Sequence, residues 1–254
     1  MFALSIVIPC YNEENNLKRG VLEEVNRFLA KQKYSWEVLI CNDDSTDNSL
    51  SILREFTQNH PKFKILNLPH RGKPGAVWSG IKEAKYPFVL FTDMDQSTPL
   101  KEINKIIPYF NQNYDIVIGS RGSRRNGNSI LRKLMAQTFL FFRRLILLPQ
   151  IIDTQCGFKV IKTKLALNIF PRLQFFRSKS TQSGWRVSAF DVELLFMTQK
   201  LGAKIKEVEV EWQNRDTSTT KGDDAARFKK ESLQMISEIY RVKLNDLRGF
   251  YDKT

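Results

Sequence analysis

The sequence is short of the residues that build metal clusters and disulfide frameworks. Its two histidines, His60 and His70, are too few for a His-rich zinc site or for several imidazole bases. Its three cysteines, Cys10, Cys41 and Cys156, are odd in number and show no CxxC spacing. They read as reduced, buried thiols, which fits a cytosolic compartment. No run reaches about 18 apolar residues, so no membrane-spanning helix is expected. The opening "MFALSIVIPCYNEE" has neither the charged start nor the small-residue cleavage site of a signal peptide. No GxGxxG follows the first apolar run and no P-loop motif occurs, which disfavours a dinucleotide dehydrogenase or a P-loop NTPase. Internal repeats and low-complexity runs are also missing.

Acid is nearly absent from one stretch. Residues 116–190 carry 14 basic side chains and a single acid, Asp153. Residues 1–115 are balanced at 14 and 14, and residues 191–254 at 12 and 12. The whole net charge of +13, which is 14 − 1, therefore sits in the middle segment. A charge this one-sided is built to meet anions: phosphates, nucleic acid or an anionic membrane face.

What is present fits one large α/β domain, since 254 residues with 42% hydrophobic content can bury a sizeable core. "LSIVIP" is a short apolar run suited to a strand buried on both faces. "NEENNLKRGVLEEVNRFLAKQK" places Leu17, Val21, Leu22, Val25 and Leu29 at helical spacing. Strand-like "WEVLICN", helical "SLSILREFTQNH", strand-like "KFKILNLP", helical "GAVWSGIKEAK" and strand-like "PFVLFTD" follow. This alternation predicts a parallel sheet wound in right-handed βαβ units. Ligands of such sheets bind beyond the carboxyl ends of the strands. Three of those ends are polar and acidic: "CYNEE", "NDDSTDNS" and "TDMDQS". "HRGKPGAVWSG" adds a basic, glycine-bearing loop whose Arg71 and Lys73 are suited to a diphosphate, or which simply begins a helix.

The acids of "FVLFTDMDQSTPL" lie one residue apart on a turning chain, so they can reach different groups. Carboxylate oxygens suit Mg²⁺ or Mn²⁺, a cation that bridges substrate phosphates and keeps most of its shell for them and for water. Such a metal neutralises charge on a leaving diphosphate. An Asp-x-Asp turn is by itself a weak signal; three acidic strand ends together make a metal–nucleotide site the stronger reading.

Together, "SIVIPCYNEENNL", "CNDDSTDNS" and "TDMDQS" resemble the nucleotide-sugar motifs of family-2 inverting glycosyltransferases with the GT-A fold. The resemblance covers about the first 125 residues. It implies a mainly parallel, Rossmann-like sheet flanked by helices. It also implies that Pro9, Tyr11 and Glu13 lie by the base and ribose, and that Asp43 contacts the base. Asp93 lies by the ribose or sugar, Asp95 is the metal ligand, and Gln96 assists the metal.

"DIVIGSRGSRRN", "DTQCGFKVIK" and "AFDVELLF" further resemble the polyprenyl-phosphate glycosyltransferases, the dolichyl-phosphate β-glucosyltransferases more than the mannose synthases. That resemblance implies transfer of a sugar, glucose from UDP-glucose, onto a dolichyl or polyprenyl phosphate. It assigns Arg121 and Arg132 to the acceptor phosphate, and Lys221 to the acceptor phosphate or the donor diphosphate. Ala136 stands where the mannose synthases carry a serine, which departs from their pattern. Two arginines grip a phosphate bidentately. A phosphate nucleophile is already anionic and needs positioning more than a base. GDP-mannose as donor stays open, as does a sugar hydroxyl acceptor with Asp191 as general base. Cys156 reads as a packing thiol.

Residues 129–150 place Leu131, Leu134, Met135, Thr138, Phe142, Leu145 and Ile146 on one helical stripe, with Arg132, Lys133, Arg143 and Arg144 opposite. This is either an interfacial membrane helix or a core helix with a solvated basic face. Arg172, Phe175, Phe176, Arg177 and Lys179 form a second basic–aromatic patch. We expect a catalytic domain over 1–212, with a loop and C-terminal helix over 213–254 appended to it. The protein is expected to be cytoplasmic and held peripherally at an anionic membrane surface. A homo-oligomer or a separate membrane-anchoring subunit is compatible with this. Nucleic acid is not expected, because it would leave the acidic strand ends unexplained.

Overall fold

The computed structural model of the chain describes residues 2–122, 144, 146–177, 190–217 and 237–252. Seven strands form one sheet: β1 (Ala3–Cys10), β2 (Ser35–Asn42), β3 (Phe63–Asn67), β4 (Phe88–Phe91), β5 (Ile116–Ser120), β6 (Lys159–Lys162) and β7 (Ile205–Glu209). Their order is β3-β2-β1-β4-β6-β5-β7. β1, β2, β3 and β4 pair in parallel, as do β5 and β7; β6 is antiparallel to both β4 and β5. Six carboxyl ends and the start of β6 therefore share one edge of the sheet.

Both sheet faces are covered, which is why the strands read as nearly unbroken apolar runs. Ile6, Ile8, Val38, Ile40, Leu90, Val117 and Val160 face one core. There they meet α2 (Val21–Leu29) and α5 (Ile103–Phe110), through Val25 and Leu29 and through Ile103 and Ile106. Val7, Leu39, Val89, Phe91, Ile116, Ile118 and Ile161 face the other core, with α4 (Gly72–Glu83), α6 (Thr163–Ile169) and α8 (Phe190–Lys200). α3 (Ser49–Gln58) flanks β3, and α7 (Gln174–Arg177) is a single turn. Residues 237–247 are helical and send Ile239 and Val242 into the second core.

Two helix boundaries differ from expectation. The predicted first helix is two, α1 (Glu14–Lys18) and α2, because Gly20 adopts φ +82° between them. α4 begins at Gly72 rather than Gly75, so Lys73 sits in its first turn. Among the described residues no helix is long and apolar enough to cross a membrane. The 129–150 stripe lies outside the described residues except at Arg144 and 146–150, where Leu147 and Leu148 are buried. Phe176 of the basic–aromatic patch packs on Trp78 and Phe170, and Arg177 lies over the Phe250 ring; Lys179 is outside the described residues.

α4 lies directly on β1 and β2. A Cβ added at Gly80 would stand 2.4 Å from Val7 Cγ1 and 2.9 Å from Cys41 Sγ. Gly80→Ala should therefore destabilise the fold by about 1–3 kcal/mol, the range for overpacking a dense core. A lowered urea midpoint at unchanged m-value is the expected result.

Candidate active site

The ends of β1 and β2 are stitched together before they reach any ligand. Asn12 Oδ1 accepts from the Thr46 amide at 2.8 Å, the Glu13 amide donates to Ser49 Oγ at 2.8 Å, and the Glu14 amide donates to Asp47 at 3.1 Å. Asn16 Nδ2 donates to Glu13 Oε2 at 2.6 Å. Among the described residues only Asn12, Asp44, Gln96 and Asn113 combine a side chain with left-handed backbone. The first three stand just past the carboxyl ends of β1, β2 and β4. Backbone strain of this kind collects where a site needs a shape that regular structure does not supply.

Asp43 is buried, and its two carboxylate oxygens accept from the backbone amides of Arg71 and Gly72, both at 2.8 Å. His70 Nδ1 lies 2.9 Å from the same carboxylate. Asp43 thereby sets the start of α4. The His70 ring in turn faces Tyr11, with centroids 4.5 Å apart, and Tyr11 is exposed.

Beside these turns lies a set of paired charges. The Lys73 ammonium contacts Asp93 Oδ1. Burial alone would lower the Lys73 pKa, but Asp93, with Asp191 and Asp95 beyond it, outweighs burial and holds the ammonium above its ordinary value. Burial likewise opposes the Asp93 carboxylate, and Lys73, Lys159 and Arg121 outweigh it and hold its pKa below the ordinary range. The two side chains remain 32% and 42% exposed, so the pair is open to an incoming ligand.

Asp95 has a different environment, as expected of two acids one residue apart. Its Oδ1 accepts from the Ser97 amide at 2.8 Å, its carbonyl accepts from Arg19 at 2.9 Å, and no donor meets Oδ2 among the described residues. Gln96 turns inward instead: its Nε2 donates to the Asp93 carbonyl at 2.8 Å, and its Oε1 is buried without a partner. Among the described residues no three His, Cys, Asp or Glu side chains form a metal cage.

β5 and β6 bring the second half of the chain to the same edge. Arg121 follows β5 and forks onto Asp153, with Nε to Oδ2 at 2.7 Å and Nη2 to Oδ1 at 2.8 Å. One edge of the guanidinium is thus fixed, and Trp212 lies 5.8 Å from it. Asp191, at the start of α8, meets the wholly buried Lys159 at 2.7 Å. Glu193 points elsewhere, accepting from Tyr251 Oη at 2.8 Å and the Gln174 amide at 2.9 Å. Cys156 is buried, and burial pushes its thiol pKa up, in keeping with a packing role. Arg132 and Lys221 lie outside the described residues.

Three participants escaped the sequence reading: Lys159, Asp153 and Gly157. The available signals were a lysine between apolar residues in "GFKVIK" and the lone acid of a basic segment. Gly157 is forced by contact, because a Cβ there would lie 2.0 Å from Asp93 Oδ2.

A parallel sheet with acidic ends, crossed by one antiparallel strand that carries a second set of charges to the same edge, defines a GT-A glycosyltransferase. The family comparison agrees and narrows this. The chain belongs to glycosyl transferase family 2, whose model matches residues 5–170. A dolichyl-phosphate β-glucosyltransferase of Dictyostelium discoideum is 32% identical over 265 residues, spanning 98% of this chain and 76% of that protein. The enzyme of that name from Homo sapiens is 31% identical over 264 residues, spanning 97% and 76%. Among solved structures, mannosyl-3-phosphoglycerate synthase from Rubrobacter xylanophilus superposes with a TM-score of 0.66 at 15% identity, covering 97% of this chain and 75% of that one. Glucosyl-3-phosphoglycerate synthase from Mycobacterium tuberculosis, in complex with Mn²⁺, UDP and glucosyl-3-phosphoglycerate, gives 0.60 at 17% identity, covering 95% and 80%.

Gly157→Ala tests the packing of the cleft directly. It should displace the Asp93 carboxylate from Lys73 and lower transfer activity about a hundred-fold, the scale of a 1 Å misplacement. The far-UV circular dichroism spectrum should be unchanged.

Proposed function

We propose that the chain transfers glucose from UDP-glucose to the phosphate of a polyprenyl or dolichyl lipid, inverting the anomeric centre, at the cytoplasmic face of a membrane with which it associates peripherally. The observation that carries this reading is the likeness to dolichyl-phosphate β-glucosyltransferases along 98% of the chain. The site chemistry is in accord. On the donor side, Pro9, Tyr11 and Glu13 flank the base and ribose. Asp43 acts at the base end and, through the backbone it holds, places Arg71 and Lys73 toward the diphosphate. Asp93 takes the ribose or sugar.

Mg²⁺ or Mn²⁺ fits this donor set. The cation needs one or two carboxylates when phosphates and water fill the rest of its shell, and Asp95 offers an oxygen that no donor among the described residues meets. When bound, such a metal neutralises the diphosphate. Gln96 supports it through the Asp93–Asp95 turn, since its amide braces the Asp93 carbonyl.

On the acceptor side, Arg121 and Arg132 hold the lipid phosphate, with Lys221 approaching the phosphates. The guanidinium edge of Arg121 that Asp153 leaves free is the one available to it. We also propose that 1–212 forms the catalytic unit and that 213–254 straps onto it. The Gln213 amide donates to the Ser97 carbonyl at 2.9 Å, and Arg215 forks onto Glu24 at 3.0 Å.

The test is transfer from radiolabelled UDP- and GDP-sugars to a short polyprenyl phosphate, with and without Mg²⁺ or Mn²⁺. Glucose from UDP-glucose should be the product, lost on chelation. Transfer only from GDP-mannose, or only to a sugar hydroxyl, would replace this reading. Asp95→Ala should abolish metal-dependent transfer. Arg132→Ala should raise the KM for lipid phosphate about ten-fold or more with a smaller effect on the donor, on the scale of one charge-assisted contact.

A further inference from the structure

We propose that Lys159 is a positioning residue: its buried ammonium pairs with the Asp191 carboxylate and so withholds from it the role of general base. Its chemical meaning rests on the proposed transfer to a lipid phosphate, while the pairing itself stands on geometry alone.

Lys159 is the first residue of β6, in register with Phe91 of β4 and Ile118 of β5. Its side chain has no exposed surface. The ammonium donates to the Cys156 carbonyl, stands 5.6 Å from the Phe91 ring centroid and lies 2.7 Å from Asp191 Oδ1. That last contact has the distance of an ion pair without the alignment of a hydrogen bond, so Asp191 Oδ1 keeps an unused acceptor direction. Asp191 is the only carboxylate paired with Lys159 among the described residues. The charged groups around them are Lys73 of α4, Asp93 and Asp95 after β4, and Arg121 after β5. Glu193, two residues along α8, is turned onto Tyr251 and Arg241.

A general base must accept a proton. If Asp191 did so, a wholly buried ammonium would lose the one carboxylate among the described residues that it contacts directly, which is unfavourable. An attacking hydroxyl has a proton to give up; a lipid phosphate does not. In the latter case a phosphate oxygen forms the bond to C1 as the bond from C1 to the diphosphate breaks. The electron pair leaves on the diphosphate and no proton moves. A site with Lys159 behind Asp191 is matched to that acceptor. Asp191 then serves as a fixed negative charge near the centre where positive charge develops.

Lys159→Met, Asp191→Asn and the double variant test this by the pH dependence of the Tm and of kcat. In Lys159→Met the Asp191 carboxyl is buried without its direct cation, Lys73 remaining farther off, so the folded state should bind its proton more tightly than the unfolded chain does. The sign follows: stability present at low pH is lost as pH rises. The Tm of Lys159→Met should fall by about 5 °C between about pH 5 and pH 8, a slope absent from the wild type and the double variant. Its kcat should drop more than ten-fold and gain a new pH limb, and the double variant should lose that limb. Should Lys159→Met fail to fold, folding of the double variant would support the pairing. Single-variant losses that add in the double, or one pH slope shared by all four proteins, would overturn it. A wild type that transfers to no polyprenyl phosphate would sink the functional reading, while the Tm series would still decide the pairing.

Discussion

The contact between Lys73 and Asp93 joins the two halves of the cleft, and the rest of the site is arranged around it. Lys73 reaches Asp93 because α4 begins early, at amides that Asp43 captures. α4 in turn lies close to the sheet because Gly80 has no side chain to hold it off. From the other side Gly157 leaves just enough room for the Asp93 carboxylate. Beyond it the charges alternate: Lys73 feels Asp191 as well as Asp93, and Asp191 is paired with Lys159. A cleft this rich in charge persists because each deeply placed ion has a partner, the condition under which buried charge is tolerated.

Much of the acidic edge of the sheet was legible in the sequence for a geometric reason. A parallel sheet delivers successive carboxyl ends to one edge, so three acidic segments separated by tens of residues had to converge if the alternation of strands and helices was read correctly. The antiparallel β6 was not legible in that way. Its place between β4 and β5 depends on long-range pairing, and with it go Lys159 and Gly157. Asp153 was visible only as the lone acid of a basic segment. In the fold it claims one edge of Arg121, so the count of free cations near the site is smaller than composition implies. Gly20 shows the same limit on a local scale: helical spacing ran through it, while its left-handed backbone breaks the helix there.

The three acidic turns are not equivalent. The one after β2 is spent on architecture, since both Asp43 oxygens hold backbone amides. The one after β1 is spent on its neighbour, through Asn12, Glu13 and Glu14. In the one after β4, no donor among the described residues meets Asp95 Oδ2. Convergence in space therefore supplied the site, and hydrogen-bond partners decide which acids remain available to a ligand.

The neighbouring, antiparallel placement of β5 and β6 has a further effect. The chain leaves the sheet after Ser120 and re-enters at Lys159, on adjacent strands about 5 Å apart. Everything between is, in topological terms, one long hairpin connection anchored at both feet. Lengthening such an excursion costs little, since loop closure grows only with the logarithm of length. This connection carries seven basic side chains and one acid, and its length or surface can change while β1 to β4 and their acidic turns stay as they are. In a fold wired this way, a change in that connection need not disturb the acidic edge of the sheet.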